Sequence, residues 1–134
     1  MNTTERAFQS SFQKGTTDMG KKSRDKGQRG ERELAAELTR LFGVVARRGR
    51  QYHGGADSPD VVVDLPDIHV EVKRTEKLSL YPAMQQASTD AGNKVPIVCH
   101  RANNKPWLAI VALDDLPKIA ALLQDVIQKQ LSDR

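Results

Sequence analysis

The chain has a single cysteine, Cys99, which excludes an internal disulfide and fits a reducing compartment. Cys99 and the three histidines, His53, His69 and His100, are too scattered for a typical zinc site. No apolar run approaches the roughly 18 residues that a membrane-spanning helix needs. The opening MNTTERAFQSSFQKGTTD lacks the apolar stretch of a secretory signal, so an intracellular protein is expected. There is no internal repeat. What remains is a chain of 134 residues, near the modal size of one domain, with 38% hydrophobic and 28% charged residues.

Charge is unevenly placed. The net charge is +4, yet between Gly20 and Arg50 ten basic residues face four acids, an excess of +6 that leaves −2 for the rest. That asymmetry suggests a surface for a polyanion, most often nucleic acid, while a solvated basic face stays open on charge alone. Residues 1–22 are polar without sustained periodicity and are expected to form a flexible tail ahead of one domain, 23–134.

Leu34, Leu38 and Leu41, with Ala35 and Phe42, fall at helical spacing and predict a helix over about 31–42, capped by Gly43. Val44-Val45-Ala46 starts a short strand that runs into Arg47-Arg48, and Gly49 to Ser58 is a glycine-rich loop. Pro59–Asp64 and Asp67–Arg74 predict two strands of a hairpin, Ser79–Ala91 a helix, and Val95–His100 and Trp107–Leu113 two further strands. The nearly continuous apolar character of the last two suggests burial on both faces. Asp114–Leu131 is a strongly amphipathic closing helix. The order α-β-β-β-α-β-β-α predicts an α/β fold, a mixed five-stranded sheet flanked by helices.

The hairpin SPDVVVDLPDIHVEVK carries charges within apolar strands, which costs free energy unless they are paired or bind something. A turn centred on Leu65-Pro66 places Asp60 opposite Glu71, with Lys73 on the same face and Val61, Val63, Val70 and Val72 on the other. A one-residue shift or a bulge would break that pairing, and a four-residue loop with the same centre is an alternative turn. Two carboxylates so close repel, which raises one pKa or requires a cation between them. Oxygen-only ligation suits Mg²⁺ or Mn²⁺, and a divalent ion on a basic protein points to phosphodiester chemistry. The plain alternative is a surface hairpin in which Lys73 neutralises the two acids.

The spacing PD-x10-E-x-K, filled by Asp60, Glu71 and Lys73, resembles the PD-(D/E)xK nuclease motif. Upstream, KGQRGERELAAELTRLFG resembles the first helix of the archaeal-type Holliday junction resolvases, with Lys26, Gly27, Glu31, Arg32 and Leu34 in matching places. The likeness extends to phage-encoded relatives, through EVKRTEKLSLYPAMQQA, VPIVCHR and PWLAIV. It covers about Lys26 to Leu113. The resemblance implies a restriction-endonuclease-like core and a homodimer that cleaves four-way DNA junctions with Mg²⁺ or Mn²⁺. It further implies Glu31, Asp60, Glu71 and the Val72 carbonyl as metal ligands, Lys73 as the catalytic lysine, and a glutamine on the next helix, Gln86 before Gln85. Arg32 would contact phosphate near the site.

Arg29, Arg32, Arg47, Arg48 and Arg50 are the candidate DNA contacts, since basic side chains dominate non-specific affinity. Asp57 and His53 are weaker candidates in the glycine-rich loop, as ligand and DNA contact. Tyr81 either packs in the core or stacks near the site, and Trp107 and Cys99 read as core. The C-terminal helix, with Val126 and Ile127, is a candidate dimer face. Nothing in the sequence reads bases, so a nuclease acting on other DNA, or a DNA-binding module without activity, stays open.

Overall fold

The computed structural model describes residues 3–49 and 60–133, with side chains from residue 21 onward except that of Ser23. The elements run α1 (Thr3–Phe42), β1 (Ala46–Arg48), β2 (Val61–Val63), β3 (Ile68–Arg74), α2 (Leu80–Ala91), β4 (Val95–Arg101), β5 (Leu108–Ile110) and α3 (Leu116–Ser132), with a short 3₁₀ turn at Leu113–Asp115. The expected order is therefore found. The five strands form one sheet in the order β1-β2-β3-β4-β5, antiparallel except for the parallel pair β3 and β4. A parallel pair needs a crossover, and α2 supplies it.

Alternation along β3 and β4 divides the molecule into layers. Ile68 and Val70 of β3, with Cys99 of β4, pack with Leu34 and Ala35 of α1, and Leu122 and Val126 of α3 close the same cluster. On the opposite face Val98 packs with Ala83 and Ala87 of α2. Both faces of β3 and β4 are thus covered, most completely over Ile68–Glu71 and Val98–Cys99.

Three expectations are corrected. The helix expected at 31–42 is the C-terminal part of the much longer α1. Its earlier described turns hold exposed residues such as Lys21, Lys22, Arg24 and Asp25, which bury nothing and so leave no apolar period to detect. Gly30 lies within the helix where it meets β3: a Cβ there would stand 2.6 Å from the Arg74 Cβ. The second correction concerns Trp107–Leu113, of which only Leu108–Ile110 forms a strand. β5 is the sheet edge rather than a central strand, and Leu108 is 55% exposed.

The third correction is at the hairpin. Val61 pairs with Val70 in the expected register, but the ladder stops there. The Asp60 N–H donates to the Val70 carbonyl at 3.2 Å, so Asp60 forms no backbone pair with Glu71. The four-residue loop Asp64–Asp67 joins the strands, with Asp67 at φ 64°, a conformation that aspartate tolerates. Gly43 ends α1 at φ 64°, its N–H on the Thr39 carbonyl at 2.9 Å, as expected of the cap.

Candidate active site

Among the described residues β2 pairs with β3 at Val61 alone, so from Glu71 onward that edge of β3 has no described backbone ladder. Asp60 closes it with its side chain: the Val72 N–H donates to Asp60 Oδ2 at 2.9 Å. The carboxylate thus takes the place that a backbone carbonyl of a longer β2 would hold. In an extended strand the C=O and N–H of one residue point the same way, so the Val72 carbonyl also faces this edge.

Glu71 is 4% exposed, opposite Val98 on the α2 face. Its side chain is hydrogen-bonded to Asp60, so the two carboxyls meet although their backbones do not pair. The Glu71 carboxyl is pushed up to about 8, first by burial, then by the charge of Asp60 and the hydrogen bond to it, and then by Asp90, with Lys73 opposing. A hydrogen bond between two carboxyls needs a proton, and the raised Glu71 carboxyl supplies one.

Glu31 approaches from α1 and is 8% exposed. Arg48 Nε donates to its Oε2 at 2.5 Å. Burial raises the Glu31 carboxyl above its ordinary range, the Arg48 hydrogen bond opposes this, and the charge of Asp60 adds to the rise. Glu31 is therefore close enough to Asp60 to sense it, and is held by an arginine expected to contact DNA. Alternation along β1 leaves Arg47 exposed and turns Arg48 inward to α1.

Lys73 Nζ donates to Gln86 Oε1 at 3.1 Å. Gln85 instead lies beside Thr89, its own neighbour one turn on. Of the two glutamines the structure brings Gln86 to the lysine. Arg32 is exposed next to Glu31, and Arg29 shares with Lys26 and Arg74 a polar recess of about 240 Å³. Tyr81 is 83% exposed and so is not a core residue, whereas Cys99 is buried and Trp107 packs against the core. Arg50, His53 and Asp57 lie outside the described residues.

Two participants escape the sequence reading. His69 is 3% exposed with Nε2 2.8 Å from Glu71 Oε1. Asp90, one helical turn after Gln86, contributes to the rise of the Glu71 pKa. Strand period two puts His69 on the Glu71 face and helix period 3.6 puts Asp90 on the Gln86 face, so both signals were present.

Among the described residues no three His, Cys, Asp or Glu side chains are arranged to hold one metal ion. A hard cation of the Mg²⁺ class needs fewer, since it keeps several waters and binds through one or two carboxylates plus substrate phosphate. Asp60 and Glu71, meeting beside the Val72 carbonyl, fit that donor set, and a cation between them would replace the proton they otherwise share. Glu31, held by Arg48, stands beside this pair.

No family model matches the chain, and no curated protein matches it. Among solved structures it is similar to a Holliday junction resolvase, the class that the α1 and hairpin motifs resemble. That structure is Hjc of the archaeal hyperthermophile Archaeoglobus fulgidus, 27% identical, with 64% of this chain and 72% of the other covered at a TM-score of 0.48. No described helix is long and apolar enough to cross a membrane.

Proposed function

We propose that this chain is a metal-dependent DNA endonuclease that resolves four-way junctions by paired, symmetric phosphodiester cleavage. The observation that carries the reading is the contact of Asp60 with the buried Glu71, beside a lysine held by Gln86. A structural ion pair would join Lys73 to an acid; here the lysine is bonded to a neutral amide and the two acids to each other. That arrangement suits a cation and a phosphate better than it suits stability.

Asp60, Glu71 and the Val72 carbonyl would hold Mg²⁺ or Mn²⁺; Glu31, the acid expected to complete the site from α1, is turned to Arg48 and would join it only by leaving that arginine. When bound, the ion lowers the pKa of water and stabilises negative charge on phosphate. Lys73 offsets charge that develops on the phosphate oxygens, and Gln86 fixes its ammonium through the Oε1 contact. Asp60 ties the site to β3 through the Val72 N–H, which keeps the carboxylates in register with the lysine. Arg29, with Lys26 and Arg74 around the polar recess, and Arg32, Arg47 and Arg50 would hold the DNA backbone. Arg48 would act through Glu31.

Symmetric cleavage of two strands calls for a twofold homodimer with one site per strand. On α3, Val126 is used in the core, while Ile127 and Leu131 stay exposed and would serve a partner copy. Acting on cellular DNA, the protein would work inside the cell, in a bacterial host if it is phage-encoded as the likeness suggests.

The test uses labelled four-way junction and matched linear duplex, each with Mg²⁺ or with EDTA. Paired symmetric nicks on the junction, only with metal, support the proposal. Equal cutting of linear duplex would make it a nuclease for other DNA, and binding without cutting a DNA-binding module. Junction affinity should fall steeply with salt, because counterion release drives binding.

A further inference from the structure

We infer that His69 is a positioning residue that holds the Glu71 carboxylate in the orientation in which it ligates a divalent cation. This rests on the metal-dependent reading above, and it concerns a residue outside the PD-x10-E-x-K motif.

The geometry is specific. His69 and Glu71 are 3% and 4% exposed, on the same face of β3, with Nε2 2.8 Å from Oε1. In the parallel ladder their neighbours are Pro96 and Val98, so that side offers no polar side chain to steady a carboxylate. Lys73 does not make the bond to Glu71, because its ammonium is on Gln86. Asp60, also acidic, repels Glu71 whenever both are ionised. Asp90 adds to that repulsion from α2.

A buried imidazole costs free energy unless its polar atoms are satisfied, and an aliphatic residue would fill this strand position more cheaply. Packing alone therefore does not account for a histidine here. Once Glu71 is ionised on a cation it can only accept, so His69 Nε2 must carry the proton and donate. One hydrogen bond then fixes the carboxylate plane, and the ligand geometry with it. Outer-sphere partners of this kind typically change metal affinity by about 10–100-fold when removed.

Four variants of the full chain test this: His69→Gln, His69→Asn, His69→Leu and Glu71→Gln. The glutamine amide nitrogen reaches as far as imidazole Nε2, while that of asparagine stops at the Nδ1 position. Mn²⁺ binding is measured by calorimetry without DNA, with folding checked by circular dichroism and junction cutting followed separately. Affinity should fall about 10–100-fold in His69→Asn and His69→Leu and stay within about threefold in His69→Gln. Excess Mn²⁺ should restore cutting in His69→Asn. A merely structural histidine would rank the variants by melting temperature instead and leave Mn²⁺ affinity unchanged. If His69→Leu does not fold, the contrast between Gln and Asn decides.

Wild-type affinity in both His69→Asn and His69→Leu, with binding lost in Glu71→Gln, overturns the role of His69 and leaves the nuclease reading intact. A wild-type chain that binds no Mn²⁺, or that cuts equally in EDTA, overturns both.

Discussion

Replacing Glu71 with glutamine should make the metal-free protein more stable at neutral pH while abolishing its activity. In the folded chain the Glu71 carboxyl is pushed up to about 8, by burial first and then by Asp60, whereas its ordinary value is 4.5. The folded-state value is the higher one, so this group's contribution is fully present below 4.5. It is lost progressively as pH rises towards 8, because the unfolded chain ionises first. Between pH 5 and pH 8 the loss amounts to roughly 3 kcal/mol. Glutamine has no proton to give up, and its Oε1 can still accept from His69. The gap between variant and wild type should therefore widen in favour of Glu71→Gln by roughly 3 kcal/mol over that range, on the order of 10 °C in melting temperature. Urea unfolding in EDTA, followed by circular dichroism from pH 5 to pH 8, measures this, and the difference between the two curves removes groups common to both. Parallel curves would refute the buried-dyad account. Mn²⁺ should reverse the trend in wild type alone, since an ion that requires the ionised carboxylate binds more tightly as pH rises. In the same variant, junction cutting should vanish while junction binding survives.

Other outcomes follow from neighbouring contacts. Gly30→Ala should destabilise by about 1–3 kcal/mol despite alanine's better helix propensity, because the new Cβ meets the Arg74 Cβ, not the far end of a flexible chain; thermal unfolding checks it. Arg48→Met removes the partner of the buried Glu31 and should cost on the order of 1–3 kcal/mol at pH 7, with part of the loss regained on acidification as Glu31 takes up a proton. Cys99 is buried, its thiol pushed up to about 12 by burial, so a disulfide reagent should label it only after unfolding.

The amphipathic α3, the crossover helix α2 and the strands β3 and β4 were legible because each carries an apolar period of its own. Most of α1 was not: the exposed Lys21, Lys22, Arg24 and Asp25 leave no stripe to read ahead of residue 31. β5 was misread for the opposite reason. WLAIVAL is as apolar as a central strand, and only the sheet order shows that no described strand pairs beyond it. The candidate site was legible as residue types and less so as contacts. Asp60, Glu71, Lys73 and Gln86 do come together, yet the expected cross-strand pair is replaced by a carboxylate on the Val72 N–H. Arg48, read as a phosphate contact, is turned to Glu31.

The sequence by itself determined which residues could do chemistry here, because a strand's alternation commits His69, Glu71 and Lys73 to one face and the valines between them to the other. It could not determine what those side chains would meet. Partners such as Glu31 with Arg48, or Lys73 with Gln86, are separated by 17 and 13 positions and come from different elements. Only the packing of α1 and α2 on opposite faces of the sheet brings them within hydrogen-bonding reach. The hairpin's end was likewise a tertiary decision, since the Asp60 backbone is bonded to Gly49 and Val70 and only its carboxylate is left to meet the Val72 N–H.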